Sequence, residues 1–77
     1  MGNSQTVNDL RKGQSGIIKD LSDEQISLKL LEMGCVPGSS IRFEFAAPLG
    51  DPICVRVAGY HLTLRKAEAA TIILESE

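Results

Sequence analysis

Between residues 40 and 64 the chain alternates apolar with polar side chains at an interval of two. Ile41, Phe43 and Phe45 interleave with Ser40, Arg42 and Glu44; Ile53, Val55 and Val57 interleave with Cys54, Arg56 and Ala58; Leu62 and Leu64 flank Thr63. That period puts every second side chain on one face of a pleated strand, so each segment reads as half-buried, its apolar face against a core. Turn chemistry separates the segments: Ala47-Pro48-Leu49-Gly50-Asp51-Pro52 forms a wide hairpin tip and Gly59-Tyr60 a tight turn. The expected result is a three-strand antiparallel meander.

Upstream, Gln14 to Leu21 reads as a longer strand, with Gly13 at its opening turn and Gly16 at a bulge. Ser22-Asp23-Glu24-Gln25 has the form of a capping box, with Ser22 as the cap. Ile26, Leu30 and Met33, with Leu31 widening the stripe, then form the apolar face of a helix of about three turns. Gly34 stands where a left-handed residue would stop it, and Pro37-Gly38 makes the turn into the meander. Arg65 to Ala70 offers one further helical turn, and Thr71-Ile72-Ile73-Leu74 a last strand. Residues 1–6 are polar and patternless and are expected to be flexible, leaving 7–77 as a single domain.

A chain of 77 residues buries only about 60% of the surface it exposes unfolded, so it has no apolar side chains to spare for a second core or a deep cavity. Five short strands of this size are expected to curl until the sheet nearly closes, removing the uncovered face and edges. The expected fold is mainly β: a small, SH3-like, partly open barrel of about five strands, with an α-helix inserted between the first and second.

Several function classes lose support on composition. Eight Lys and Arg stand against ten Asp and Glu, a net charge of -2, which lacks the cationic surplus of phosphate-driven nucleic-acid binding. No apolar run approaches the roughly 18 residues of a spanning helix, and Met1 to Gln5 has neither the basic nor the apolar region of a secretory signal, so a cytoplasmic address is expected. Gly-rich phosphate loops are absent from the sequence, the acidic residues are dispersed, and the one histidine, His61, has no nucleophile beside it in sequence. An enzyme is therefore not expected. The two cysteines, Cys35 and Cys54, are expected to be reduced and packed. Cys54 and His61 flank the Gly59-Tyr60 turn and, with Asp51, form a candidate set for a divalent transition metal such as Fe(II), though two soft ligands do not make a site.

The hairpin tip is the most informative feature that remains. Pro48 and Pro52 bracket Leu49 and Gly50, which either holds Leu49 rigidly in solvent or folds it back on the core. Met33 to Gly38 likewise reads either as a plain helix stop and turn or as an exposed apolar patch. Three segments in this order, Leu30-Leu31-Glu32-Met33-Gly34-Cys35-Val36-Pro37-Gly38, Ala47 to Pro52, and Leu62-Thr63-Leu64-Arg65-Lys66-Ala67-Glu68-Ala69, resemble the FeoA family of small bacterial proteins of ferrous iron transport, and the match runs from about Val7 to Leu74.

The resemblance implies a cytoplasmic SH3-like domain that works with FeoB, a membrane permease with a cytosolic G domain, and it carries over no catalytic residue. Cys35 departs from the family's pattern, standing where aliphatic residues are usual. On this reading Pro48, Leu49, Gly50, Met33 and Pro37 contribute a partner-binding patch with Arg65 and Lys66 at its charged rim. Membrane association comes only through the partner, no cofactor is required, and the protein is a monomer or a weak homodimer. The alternative is a regulatory module that senses Fe(II) through Cys54, His61 and Asp51.

Overall fold

The period-two segments become strands whose turns set their register. In the computed structural model, which describes residues 5–75, the elements in chain order are β1 (Gln5–Thr6), a 3-10 turn at Val7–Asp9, β2 (Ser15–Leu21), α1 (Glu24–Glu32), β3 (Ser40–Ala46), β4 (Ile53–Val57), β5 (Tyr60–Leu64), α2 (Lys66–Ala69) and β6 (Ile72–Leu74). The strands form one antiparallel sheet in the order β1-β6-β2-β3-β4-β5. The five strands expected from the sequence are β2 to β6, with α1 between the first two of them. The short β1 is additional. Gln5 pairs with Leu74 and Thr6 with Ile73, so these two residues belong to the sheet rather than to a flexible tail; the rest of that expected tail, residues 1–4, lies outside the described residues.

The sheet curls without closing its ladder, leaving β1 and β5 as its edges. A side-chain contact spans the gap: Asn8 in the 3-10 turn donates from Nδ2 to the Lys66 carbonyl at 2.9 Å, while Val7 and Ala69 beside them enter the core. That core holds Ile18, Ile41, Ile53, Val55, Val57, Leu64, Ile72 and Leu74 from the strands and Leu30 and Cys35 from α1 and its stop. Gly16 makes room for it, because a Cβ there would stand 3.0 Å from the Leu74 Cδ1.

The stop of α1 is built as the sequence suggests. Gly34 has φ +102°, Cys35 N–H donates to the Leu30 carbonyl at 2.9 Å and Gly34 N–H to the Leu31 carbonyl at 3.0 Å. These are the paired bonds of a Schellman motif, with Leu30 and Cys35 supplying the apolar contact that accompanies it. The start of α1 differs from expectation. Asp23, not Ser22, is the cap, accepting from Gln25 N–H at 2.8 Å, because Ser22 is engaged where β2 ends beside β6: its N–H and its hydroxyl both donate to the Thr71 carbonyl. Leu31 also differs, lying outside the core on the exposed side of the helix beside Leu28, which is 65% exposed.

Two further corrections concern the strands. The bulge in β2 falls between Ile18 and Asp20 rather than at Gly16. A second irregularity interrupts the β3–β4 pairing: Phe43 faces Val55, but Phe45 faces Cys54. One extra residue in β3 transfers the end of the strand to the other face of the sheet, so Phe45 leaves the expected core and is 55% exposed.

The tight turn is Ala58-Gly59, one residue earlier than expected, and Tyr60 pairs with Val57 as the first residue of β5. Both turn residues have positive φ, +53° for Ala58 and +84° for Gly59, the signature of the two-residue hairpin turn that matches strand twist. An alanine side chain is disfavoured in that region and asparagine tolerated. Ala58→Asn is therefore expected to stabilise the domain by about 1 kcal/mol and to raise Tm by roughly 5 °C in thermal unfolding followed by circular dichroism. An unchanged or lower Tm would contradict the turn assignment.

Candidate functional site

The hairpin tip is folded on itself rather than on the core. Gly50 N–H donates to the Ala47 carbonyl at 2.7 Å, closing a four-residue turn with Pro48 in its second position, and Ala47 N–H donates to the Pro52 carbonyl at 2.9 Å, closing the base. Proline in the second position presets φ for such a turn and glycine suits the fourth; Gly50 uses that freedom at φ +92°. Leu49, at the apex, is 97% exposed. Of the two placements open to it from the sequence, the side chain takes the one in solvent.

A contact distant in sequence fixes the tip to the rest of the domain. Asp51 Oδ1 accepts from Lys66 N–H at 2.9 Å, placing the tip beside the Arg65-Lys66 turn. Glu68 continues the network, accepting from Arg65 N–H at 3.1 Å through Oε1 and from Lys29 Nζ at 2.8 Å through Oε2. Lys29, Asp51, Thr63, Arg65 and Glu68 thereby surround a shallow depression of about 310 Å³. Pro48, Leu49, Gly50, Arg65 and Lys66 thus lie at one end of the molecule.

Met33 and Pro37 lie at the other end. A Cβ at Gly34 would come within 4.0 Å of Val57 Cγ1, whereas the tip leaves β4 at Ile53. Gly38 N–H donates to the Ile18 carbonyl, and the segment after Pro37 reaches the Ala58-Gly59 turn, where Ser39 shares a depression with both residues. Met33 packs against the core with part of its surface exposed. The length of β4, about 15 Å at the usual rise per residue, separates the two sets.

The metal candidates do not gather into one group. Cys54 opposes Thr63 and His61 opposes Arg56, which sets Cys54 and His61 diagonally on the outer face, while the Asp51 carboxylate holds Lys66 N–H. Among the described residues no three His, Cys, Asp or Glu side chains gather in a metal-binding group. Cys54 is buried. Cys35 is buried as well, and desolvation pushes its thiol pKa up, the behaviour of a small apolar filler. Phe45, well exposed, is not legible as a surface residue in the sequence, because the alternation places it inside; Leu28, also well exposed, falls outside the Ile26, Leu30 and Met33 stripe and so is legible as one.

Glu68 provides a check on the network that holds this end together. The hydrogen bond from the Lys29 ammonium, then that from Arg65 N–H, lowers its carboxyl pKa below the ordinary range. A carboxylate with a lower pKa in the folded than in the unfolded chain adds stability that is present above the unfolded value, about 4.3, and is lost as pH falls through the native one. With Lys29 largely in solvent, the pair is expected to contribute about 0.5 kcal/mol. Urea midpoints for Glu68→Gln should accordingly fall less steeply than those of the parent between roughly pH 5 and pH 3; parallel profiles would remove Glu68 from the network.

Comparison with known proteins agrees with this architecture. The FeoA domain model matches residues 5–76. A Porphyromonas gingivalis Fe(2+) transport protein A/Fe(2+) transporter FeoB fusion protein is 34% identical over 70 residues, which are 90% of this chain and 8% of the relative, so the chain spans a small part of that protein's length. The solution structure of an FeoA-like protein from Clostridium acetobutylicum superposes with a TM-score of 0.87 at 36% identity, covering 97% of this chain and 88% of the other. The zinc-complexed FeoA of Stenotrophomonas maltophilia, a procaryotic SH3 domain protein, superposes at 0.81 with 26% identity, covering 92% and 89%. The six-stranded, incompletely closed sheet with its inserted helix is the SH3-like fold of these structures, and the chain belongs to the FeoA domain family.

Proposed function

We propose that this chain is a small cytoplasmic accessory protein of bacterial ferrous iron uptake, which docks on the cytosolic part of an FeoB-type permease and supports or regulates Fe(II) transport. One observation carries the reading: a relative joins an FeoA portion to FeoB in a single polypeptide. Covalent fusion holds two modules at high effective concentration, an arrangement that serves parts which work in contact.

The tip supplies what such contact needs. Leu49 presents an apolar side chain in solvent on a turn closed by its own hydrogen bonds, so docking orders little that is not already ordered. Burial of a leucine side chain contributes about 1.5–3 kcal/mol. Arg65 and Lys66, tied to the tip through Asp51, form a cationic rim that favours approach and orientation over raw affinity. In this reading the chain works by binding and catalyses no reaction of its own. A partner that also touched Met33 and Pro37 would have to span β4, so these two residues lie outside a small contact centred on Leu49. No helix of the described residues is long and apolar enough to cross a membrane, and the proposal places the chain at the membrane through its permease.

The test uses the immobilised cytosolic part of FeoB from the same cell. Leu49→Asp, in a position that contributes nothing to the core, is expected to keep the parent's NMR spectrum away from residues 47–52 and to bind at least about tenfold more weakly, the equivalent of about 1.4 kcal/mol. Equal retention of parent and variant would reject the tip as the docking site, and no retention of the parent would reject the partner.

A further inference from the structure

The outer face of the meander carries a feature that the docking tip does not use. Directly opposed residues share a face, so the register aligns Ser15, Arg42, Arg56 and His61 in one row across β2, β3, β4 and β5. Arg42 and Arg56 stand opposite each other, an arrangement that weakens a sheet through like-charge repulsion. This occurs in a chain whose net charge is -2. Among the described residues the only carboxylate paired with either arginine is that of Glu44, at 3.9 Å from Arg42 Nε, and Arg56 has no ion-pair or hydrogen-bond partner.

The two guanidinium groups border a shallow depression of about 490 Å³ that is also lined by Ser15, Ser39, Ser40 and Gly59. The serine hydroxyls engaged with protein atoms among the described residues are those of Ser22 and Ser27, so the three in the depression are available to a ligand. Two arginines and three serines, all able to donate, line the same open depression.

We propose that this depression is an oxyanion site that binds a phosphoryl group between Arg42 and Arg56, with Ser15, Ser39 and Ser40 donating to its remaining oxygens. A guanidinium presents two parallel N–H donors that match a pair of phosphate oxygens. The donors outnumber what the two oxygens of a carboxylate can accept, whereas a phosphate dianion offers three or four and carries the charge that two opposed arginines call for. Binding offsets the repulsion between them, so the ligand stabilises the fold. The site is independent of the tip and of the permease reading.

The experiment is a titration of the nitrogen-15-labelled protein with inorganic phosphate at constant ionic strength, with parallel arms of phenyl phosphate and acetate. Saturable shifts confined to the amides of residues 13–16, 39–42 and 56–59, at about millimolar phosphate and not with acetate, are expected. Arg56→Gln and Arg42→Gln should each weaken binding about tenfold. Both arginines are exposed and mutually repelled, so each variant should fold with a Tm no lower than the parent's in low salt, and the rise in Tm that phosphate gives the parent should shrink. Phenyl phosphate binding like the free ion would extend the site to a phosphoryl group borne on a larger molecule; its exclusion would keep the site for the free ion. Absence of saturable shifts, shifts equal for acetate, or shifts that survive in both arginine variants would overturn the proposal.

Discussion

With no second sheet to cover it, the apolar face of this six-stranded sheet is buried by the curl of the sheet on itself, and one helix of nine residues and the turn that ends it add Leu30 and Cys35 to that core. Leu30 and Cys35 lie on either side of the Gly34 reversal, and both are fully buried. The bonds from Cys35 and Gly34 back to the last helical turn hold them in that relation. Gly34 is thus more than a stop signal: without a left-handed residue there, Cys35 could not bond back toward Leu30, and the helix could not present both to the strands. A small, neutral thiol suits the position, since burial disfavours its charged form. Closing the remaining gap takes little more, a bond from Asn8 to Lys66 with Val7 and Ala69 beneath it.

Once the inner face is closed, the register decides what the outer face displays. The irregularity between Phe43 and Phe45 is the point where this matters most. Up to Phe43 the apolar residues of β3 face inward; beyond it the strand has slipped by one, and Phe45 shares the outer face with Cys54 and Thr63. Alternation alone cannot show this, because Ile41, Phe43 and Phe45 continue the same period and the extra residue is visible only against the partner strand. The strands, the helix and its stop are legible because each rests on local chemistry: period-two spacing, a 3–4 apolar stripe, a glycine at the end. The cap is not, because Ser22 and Asp23 suit it equally in isolation, and only the cross-sheet bond to Thr71 withdraws Ser22.

The same distinction separates the legible from the illegible in the candidate site. Pro48, Leu49 and Gly50 announce an exposed turn because their backbone preferences act within four residues. The bond from Lys66 to Asp51 joins positions fifteen apart, and the opposition of Arg42 to Arg56 needs the bulge to be counted correctly; neither has a local signature. Cys54, His61 and Asp51 are the converse case. Their closeness in sequence suggests a common site, and the register does set Cys54 and His61 diagonally on one face, but among the described residues no third His, Cys, Asp or Glu joins them in a metal-binding group.

β4 therefore serves two surfaces at once. Its Ile53 end carries the tip and the Arg65-Lys66 rim, and its outer face carries Arg56 three residues further on, about 10 Å along the strand. That distance is close to the Debye length at physiological ionic strength, about 8 Å. Charge added at the arginine row is thus mostly screened before it reaches the rim. A direct electrostatic link between an anion there and a partner at the tip would be weak. Coupling of the two would have to pass through β4 itself, whose Ile53, Val55 and Val57 are fixed in the core and whose freedom to shift is small in a close-packed interior. The architecture favours two surfaces that act separately on one rigid scaffold.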